Sequence, residues 1–344
     1  MAMASRLPLP HHITPALTQL RKGAGSLFVD GFFNTISRLG KLHPLASPAK
    51  HDVEVIRDLR YGPLPAHRLD VWRPADTSKP RPVALYVHGG GFRILSKDTH
   101  WIMALLLARH GYVVFTINYR LAPKHPFPAA VQDVALALPF VLDHAKEYGG
   151  DPKRLVLAGE SAGGNLVTAL TRLLVAPHPL PWTRPVYDAG VVPLAVLPAC
   201  GMLQVTDSER LRTRKPHMRT FVADRIAEVS HAYLGAAATD STALSPELRD
   251  LADPLLWLED VVAGRLPKPE RPLPPMHALV GTADPLLDDT RRLVGALQAL
   301  GVQSEAAYYP GEVHAFHAFI HRPAAQKAWK AQLAFLDRVV GVVK

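Results

Sequence analysis

The chain has 344 residues, 48% of them hydrophobic, and a formal net charge of +9. A chain of this length can bury roughly three quarters of its unfolded surface, so one large core is within reach, and no apolar run approaches the ~20 residues that cross a bilayer. Cys200 is the only cysteine, which excludes an intrachain disulfide and fits a reducing, cytoplasmic setting.

The first residues carry Pro8, Pro10, His11, His12 and Pro15 and no continuous apolar stretch, unlike a secretory signal. Leu27, Phe28, Phe32, Phe33, Ile36 and Leu39 recur at helical spacing. Such a stripe packs on the body of a protein and, where it covers a site, shapes the pocket; a membrane-contacting helix is the lesser alternative. From Val53 strands and helices alternate. Val53–Leu59 and His67–Trp72 form an initial strand pair, and Val83–Val87 is a nearly all-apolar strand of the kind covered on both faces. A helix from about Asp98 to Arg109 leads to the strand Tyr112–Ile117, and a helix after Pro128 is interrupted by Pro139. Strands follow at Leu155–Gly159 and Val191–Leu197. The series closes with the strand Met276–Val280, the helix Leu286–Leu300, the strand Ser304–Tyr309 and a helix after His314.

Repeated β-α-β units predict an α/β class with a mostly parallel sheet and helices on both faces. Between Gly201 and Pro275 the rhythm breaks. Helices Phe221–Leu234 and Pro254–Val262 are joined by polar segments, and Pro267, Pro269, Pro272, Pro274 and Pro275 make a stiff connector. The expected organisation is an N-terminal segment 1–50, a first part of the core 51–201, a lid-like insertion with its connector 202–275, and a second part of the core 276–344. Arg210, Arg212, Arg214, Lys215 and Arg219 form one dense basic run in the insertion. It lacks interleaved aromatics and any nucleic-acid-binding pattern, so it is read first as a solvated face and second as an attractor of anionic substrates or membrane surfaces. Cys200, flanked by Leu197, Pro198, Ala199, Gly201 and Met202, is expected to be a buried structural thiol.

Chemistry concentrates at strand ends. Gly159-Glu160-Ser161-Ala162-Gly163 follows the strand at Leu155 and precedes a helical pattern, the strand–turn–helix setting of a nucleophile elbow. The turn is tight enough to require small residues two before and two after the serine, and the helix that follows directs its positive end toward Ser161. A serine hydroxyl needs a base, usually a histidine oriented by a carboxylate. Asp284 ends the strand at Met276, and His314 follows the strand at Ser304. The order Ser, Asp, His is that of α/β-hydrolases. Asp288 and Asp289 sit further into the next helix, where they cap it or shape the loop. His317 and His321 are placed on the final helix, and a His314–His317 metal pair lacks a third ligand. His88-Gly89-Gly90-Gly91-Phe92 follows the strand at Val83. Two of the N–H groups of Gly89, Gly90 and Gly91, with that of Ala162, are the expected oxyanion donors, each worth ~3–4 kcal/mol. Gly23-Ala24-Gly25 follows no strand and is set aside.

These segments, with Asn118–Pro123, Pro126–Ala130, Asp284–Asp289 and His314–Phe316, resemble the hormone-sensitive-lipase-like α/β-hydrolases, or bacterial family IV esterases. The resemblance spans roughly residues 83–320. It implies an eight-stranded, mostly parallel twisted sheet, a cap from the N-terminal segment and the insertion, and carboxylesterase activity on short- to medium-chain esters without metal or cofactor. It also allows a homodimer through an edge strand or the cap, and makes Asn118–Ala130 scaffold. Glu160 stands where Asp or Thr is usual, Lys124 where an acid is common, and Ala315 where Gly usually follows the histidine. Two other readings stay open. The same triad could act on an amide, thioester, lactone or carbamate, or the fold could serve as a non-catalytic small-molecule binder.

Overall fold

The computed structural model describes residues 46–238 and 244–341, with residues 31, 35, 37, 40, 41 and 43 before them. The apolar stripe from Leu27 to Leu39 lies outside the described residues.

Eight strands form one sheet: β1 Val53–Arg60, β2 Arg68–Pro74, β3 Arg81–Val87, β4 Val113–Ile117, β5 Gly150–Glu160, β6 Ala195–Ala199, β7 Met276–Gly281 and β8 Ser304–Tyr309. Their order is β1-β2-β4-β3-β5-β6-β7-β8. The β1–β2 and β2–β4 pairs are antiparallel, and every pair from β4 to β8 is parallel. After β3 the chain lays β4 on one side of it, and β5 then takes the other. At such a switch point the loops leaving the two central strands part from one another, and ligands bind at the strands' carboxyl ends. Val87 of β3 lies beside Gly159 of β5, so the glycine-rich loop and the serine turn emerge together.

The sheet is buried on both faces because both alternating sets of its central side chains are apolar. Val83, Leu85, Val113, Phe115, Leu155 and Leu157 point to one core. There they meet the helices α2 Ala129–His144 and α3 Ala162–Val175. Ala84, Tyr86, Val114, Val156 and Ala158 point to the other core, beneath α1 Trp101–Arg109. The short helix α4 is Arg184–Asp188.

Between β6 and β7 the described residues hold four helices, α5 Glu209–Arg214, α6 Thr220–Leu234, α7 Pro246–Ala252 and α8 Pro254–Val262. The proline-rich stretch after α8 carries no regular element before β7. The last helices are α9 Leu287–Ala299 and α10 Pro323–Val340.

Three expectations shift. β6 begins at Ala195 rather than Val191. β5 begins at Gly150, well before Leu155. His317 and His321 precede the final helix, which Pro323 opens at its first position, where a missing N–H costs nothing.

The basic run is not simply a solvated face. Arg210 is paired with the fully buried Asp289, which also accepts the N–H groups of Leu203 at 2.9 Å and Gln204 at 3.3 Å. Arg214 meets Asp288 at 2.8 Å. Lys215 Nζ donates to the carbonyl of Asp284. The run therefore fastens the insertion to the turn that follows β7. Arg210→Ala strands the buried Asp289 carboxylate and is expected to lower the unfolding free energy by about 3 kcal/mol, measured by urea denaturation. A change under about 0.5 kcal/mol would place the pair among inconsequential surface contacts.

Candidate active site

Ser161 lies between β5 and α3 with φ 56° and ψ −114°. This is a left-handed conformation rare for a residue with a side chain, and it costs roughly 1–3 kcal/mol. Close packing enforces it. A Cβ on Gly159 would lie 2.4 Å from the carbonyl oxygen of Gly163, and one on Gly163 would lie 2.0 Å from that of Val87. The turn is pinned by its own backbone: Ser161 N–H donates to Ala199 O at 2.9 Å, and Ser161 O accepts from Asn165 and Met202, both at 3.2 Å. Ala162 is the first residue of α3, so its N–H has no acceptor within that helix and lies at the positive end of the dipole.

The structure brings Ser161, Asp284 and His314 together. Ser161 Oγ is 2.9 Å from His314 Nε2, and His314 Nδ1 is 2.8 Å from Asp284 Oδ2. Asp284 is fully buried, and its second oxygen accepts the N–H of Leu286 at 2.8 Å. Facing a carboxylate, Nδ1 carries the proton, which leaves Nε2 to accept from the serine hydroxyl. Burial opposes a charge on His314, but the Asp284 carboxylate outweighs it and raises the imidazole well above its ordinary value. The side chain keeps 35% exposure, so it faces the opening of the site.

The glycine-rich loop sits against the serine: a Cβ on Gly89 would lie 3.4 Å from Ser161 Cβ. His88 is buried, stacked on Tyr119 at 4.3 Å, and bonded through Nδ1 to Gly89 O at 2.7 Å. Burial pushes its pKa down to about 3, so it is a neutral strut. Tyr119 OH donates to His88 O at 3.0 Å, which makes the Asn118 segment scaffold for this loop. Gly90 has φ 109°, and a Cβ there would lie 2.2 Å from Ile94 O. Of the four expected donors, Gly89 points elsewhere: its N–H faces His100 Nε2 at 3.3 Å. Gly90, Gly91 and Ala162 remain. Helix α6 lies over the loop: Tyr233 stacks on Phe92 at 3.6 Å, Glu228 pairs with Arg93 at 2.6 Å, and a Cβ on Gly91 would lie 2.7 Å from Val229.

Two neighbours escape a reading by sequence. Cys200 is buried, as expected, and burial raises its thiol. It also lies beside the relay: its sulfur and ligand atoms of Asp284 and His314 are all within 4.8 Å of one another, the one such metal-compatible group among the described residues. Two of those three are already hydrogen-bonded to each other. His317 turns away from His314 and faces Glu160 at 3.2 Å, so the two histidines make no metal pair. Only proximity through the fold, across separate strands, reveals either contact.

A serine, histidine and buried aspartate aligned at the carboxyl ends of a parallel sheet define a serine hydrolase built on the α/β-hydrolase plan. Comparison with known proteins gives the same class. The sequence profile of the alpha/beta hydrolase fold family matches residues 84–318. Carboxylesterase NlhH of Mycobacterium tuberculosis is 33% identical over 274 residues, covering 75% of this chain and 74% of that protein. An esterase of Pyrobaculum calidifontis superposes with a TM-score of 0.69 at 26% identity, covering 98% of this chain and all of that one. EstE1, a thermostable carboxylesterase from a metagenomic library, shares the fold with a TM-score of 0.68 at 24% identity, over 93% of this chain and 98% of its own. The chain belongs to the α/β-hydrolase family, in its hormone-sensitive-lipase-like branch. No described helix is long and apolar enough to cross a membrane.

Because His314 must be neutral to accept a proton, a raised pKa means activity is lost as pH falls through a value above ~6.5. Asp284→Asn removes the main cause of that rise. It is expected to shift the acid limb of kcat/KM to lower pH and to reduce kcat by about 10⁴-fold. A pH–rate profile checks both, and an unmoved limb would contradict the assignment of Asp284.

Proposed function

We propose that this chain is a serine carboxylesterase that cleaves short- to medium-chain carboxylic esters in two steps, through an acyl-enzyme on Ser161. The observation that carries this reading is the unbroken line Ser161 Oγ, His314 Nε2, His314 Nδ1, Asp284 Oδ2, with links of 2.9 and 2.8 Å. His314 takes the hydroxyl proton as Ser161 Oγ attacks the ester carbonyl carbon. Asp284 holds the tautomer and stabilises the imidazolium that forms. The carbonyl oxygen becomes an oxyanion, which the N–H groups of Gly90, Gly91 and Ala162 receive. Collapse breaks the C–O bond, and His314 returns its proton to the departing alcohol. Water, deprotonated by His314, then attacks the acyl carbon, and the acid leaves as Ser161 regains its proton. No step in this sequence calls on a metal or cofactor.

The insertion 202–275 and the N-terminal segment 1–50 are assigned the part of a cap. The insertion's α6 already rests on Phe92 and Gly91, so Val229 stands where an acyl or alcohol group would enter. The carboxylesterase named among the relatives supports an ester as the bond cleaved. A homodimer, where formed, would use an outer strand, and β8 offers an exposed Tyr308 at the edge. The lone buried thiol of Cys200 suits a cytoplasmic setting.

Ser161→Ala is expected to reduce hydrolysis of p-nitrophenyl butyrate by about 10⁴-fold or more, followed as p-nitrophenolate release. Near wild-type turnover would refute the nucleophile. A panel of matched ester, amide, thioester, lactone and carbamate substrates is expected to rank esters of short to medium acyl length first; a higher kcat/KM for another bond would reassign the substrate class.

A further inference from the structure

Glu160 is the last residue of β5 and directly precedes the nucleophile. Its carboxylate is buried between two buried histidines. Oε1 is 3.4 Å from His100 Nε2, and Oε2 is 3.2 Å from His317 Nε2. These histidines belong to opposite sides of the site. His100 precedes α1, and its Nε2 also lies 3.3 Å from the Gly89 nitrogen of the glycine-rich loop. His317 sits in the short turn Phe316–Ala318 that follows His314, where its carbonyl accepts the indole N–H of Trp329 at 3.0 Å. A Cβ on Gly89 would lie 2.8 Å from the carbonyl oxygen of Glu160. The loop therefore rests on this residue.

An unpaired carboxylate at this depth would be costly. Burial alone would raise Glu160, but the imidazoles of His100 and His317 beside its oxygens outweigh it and hold it well below the usual carboxylate range. His100 Nδ1 faces two acceptors, Ser96 O at 3.3 Å and Thr99 Oγ1 at 2.9 Å, the latter having spent its own hydrogen on Ser96 O. Nδ1 thus carries a proton, and Nε2, which faces both the Gly89 N–H and the carboxylate, serves one of them at a time: bare it accepts from Gly89, protonated it donates to Glu160. Reaching two imidazoles takes the length of Glu; Asp is one methylene shorter, and Thr has no charge.

We propose that Glu160 is a positioning residue for the reaction: through His100 it holds the oxyanion loop, and through His317 the turn bearing His314, so that one buried carboxylate sets both against Ser161. It touches no reacting atom. The proposal rests on the reading of Ser161 as nucleophile.

The test uses the full chain and p-nitrophenyl butyrate, with active sites counted by fluorophosphonate labelling. Glu160→Gln keeps the shape and removes the charge. It is expected to lower kcat per titrated site by about 30- to 100-fold while KM stays within about threefold. His100→Gln alone should also lower kcat, and the double variant E160Q/H100Q should lose no more than about threefold beyond E160Q, because the pair acts as a unit. A kcat per titrated site within about threefold of wild type in E160Q, or losses that multiply in the double variant, would overturn the proposal. A purely structural role would reduce the number of titratable sites and leave kcat at each unchanged. If E160Q shows no cooperative melt, H100Q and H317Q decide the matter: each is expected to lower kcat per titrated site, and values within about threefold of wild type in both would overturn the proposal. Failure of the nucleophile reading itself gives a separate result, wild-type protein that the probe does not label at Ser161.

Discussion

Everything in this site depends on one backbone conformation, the left-handed turn at Ser161. Such a conformation persists only where packing over-determines it. Here the amino end of α3 is pressed so close to β3 that no side chain fits at Gly163, and three backbone hydrogen bonds fasten the serine to Ala199, Asn165 and Met202. The strain serves the chemistry twice. It lifts Oγ out of the strand toward His314, and it leaves the N–H of Ala162 at the uncapped start of a helix.

The sheet supplies the remaining geometry. In a parallel sheet successive strands end at the same side, so the loops after β3, β5, β7 and β8 meet without any long-range search. The glycine-rich loop, the serine, the aspartate and the histidine occupy those four ends in turn. Their separation in the chain is large, 153 positions from serine to histidine, yet each needs only a short turn to reach its place. The insertion between β6 and β7 returns to this side and is fastened to it. Asp289 receives Arg210, and the Asp284 carbonyl receives Lys215. The main chain of Asp284, whose carboxylate faces His314, is therefore held in part by this insertion.

The three relay residues were legible because the chemistry leaves little choice: a nucleophile elbow, an acid and a base at strand ends, in one chain order. Other features were not legible, for physical reasons. Val191–Leu194 is apolar and reads as strand, but burial does not require pairing, and the ladder starts at Ala195. The basic run reads as solvated because its partners, Asp288 and Asp289, lie more than seventy residues away, as the 79-residue separation of Arg210 and Asp289 illustrates. His317 reads as a helical surface residue until Pro323 is seen to open the helix beyond it. Glu160 reads as a local departure within a motif. Its partner His100 stands 60 residues earlier, and only the sheet's switch point places the two side by side. The glycine run after β3 was readable, whereas the approach of His100 to Gly89 was not.

The central claim is that a covalent ester on Ser161 lies on the reaction path. Rapid acid quench of the protein during turnover of p-nitrophenyl butyrate, followed by peptide mass spectrometry, tests it directly. The account predicts a fraction of chains heavier by one butyryl group, with the modification on the peptide and side chain of Ser161 and absent from Ser161→Ala. Turnover with no acylated chain at any quench time, or acylation at another residue that survives Ser161→Ala, would contradict it.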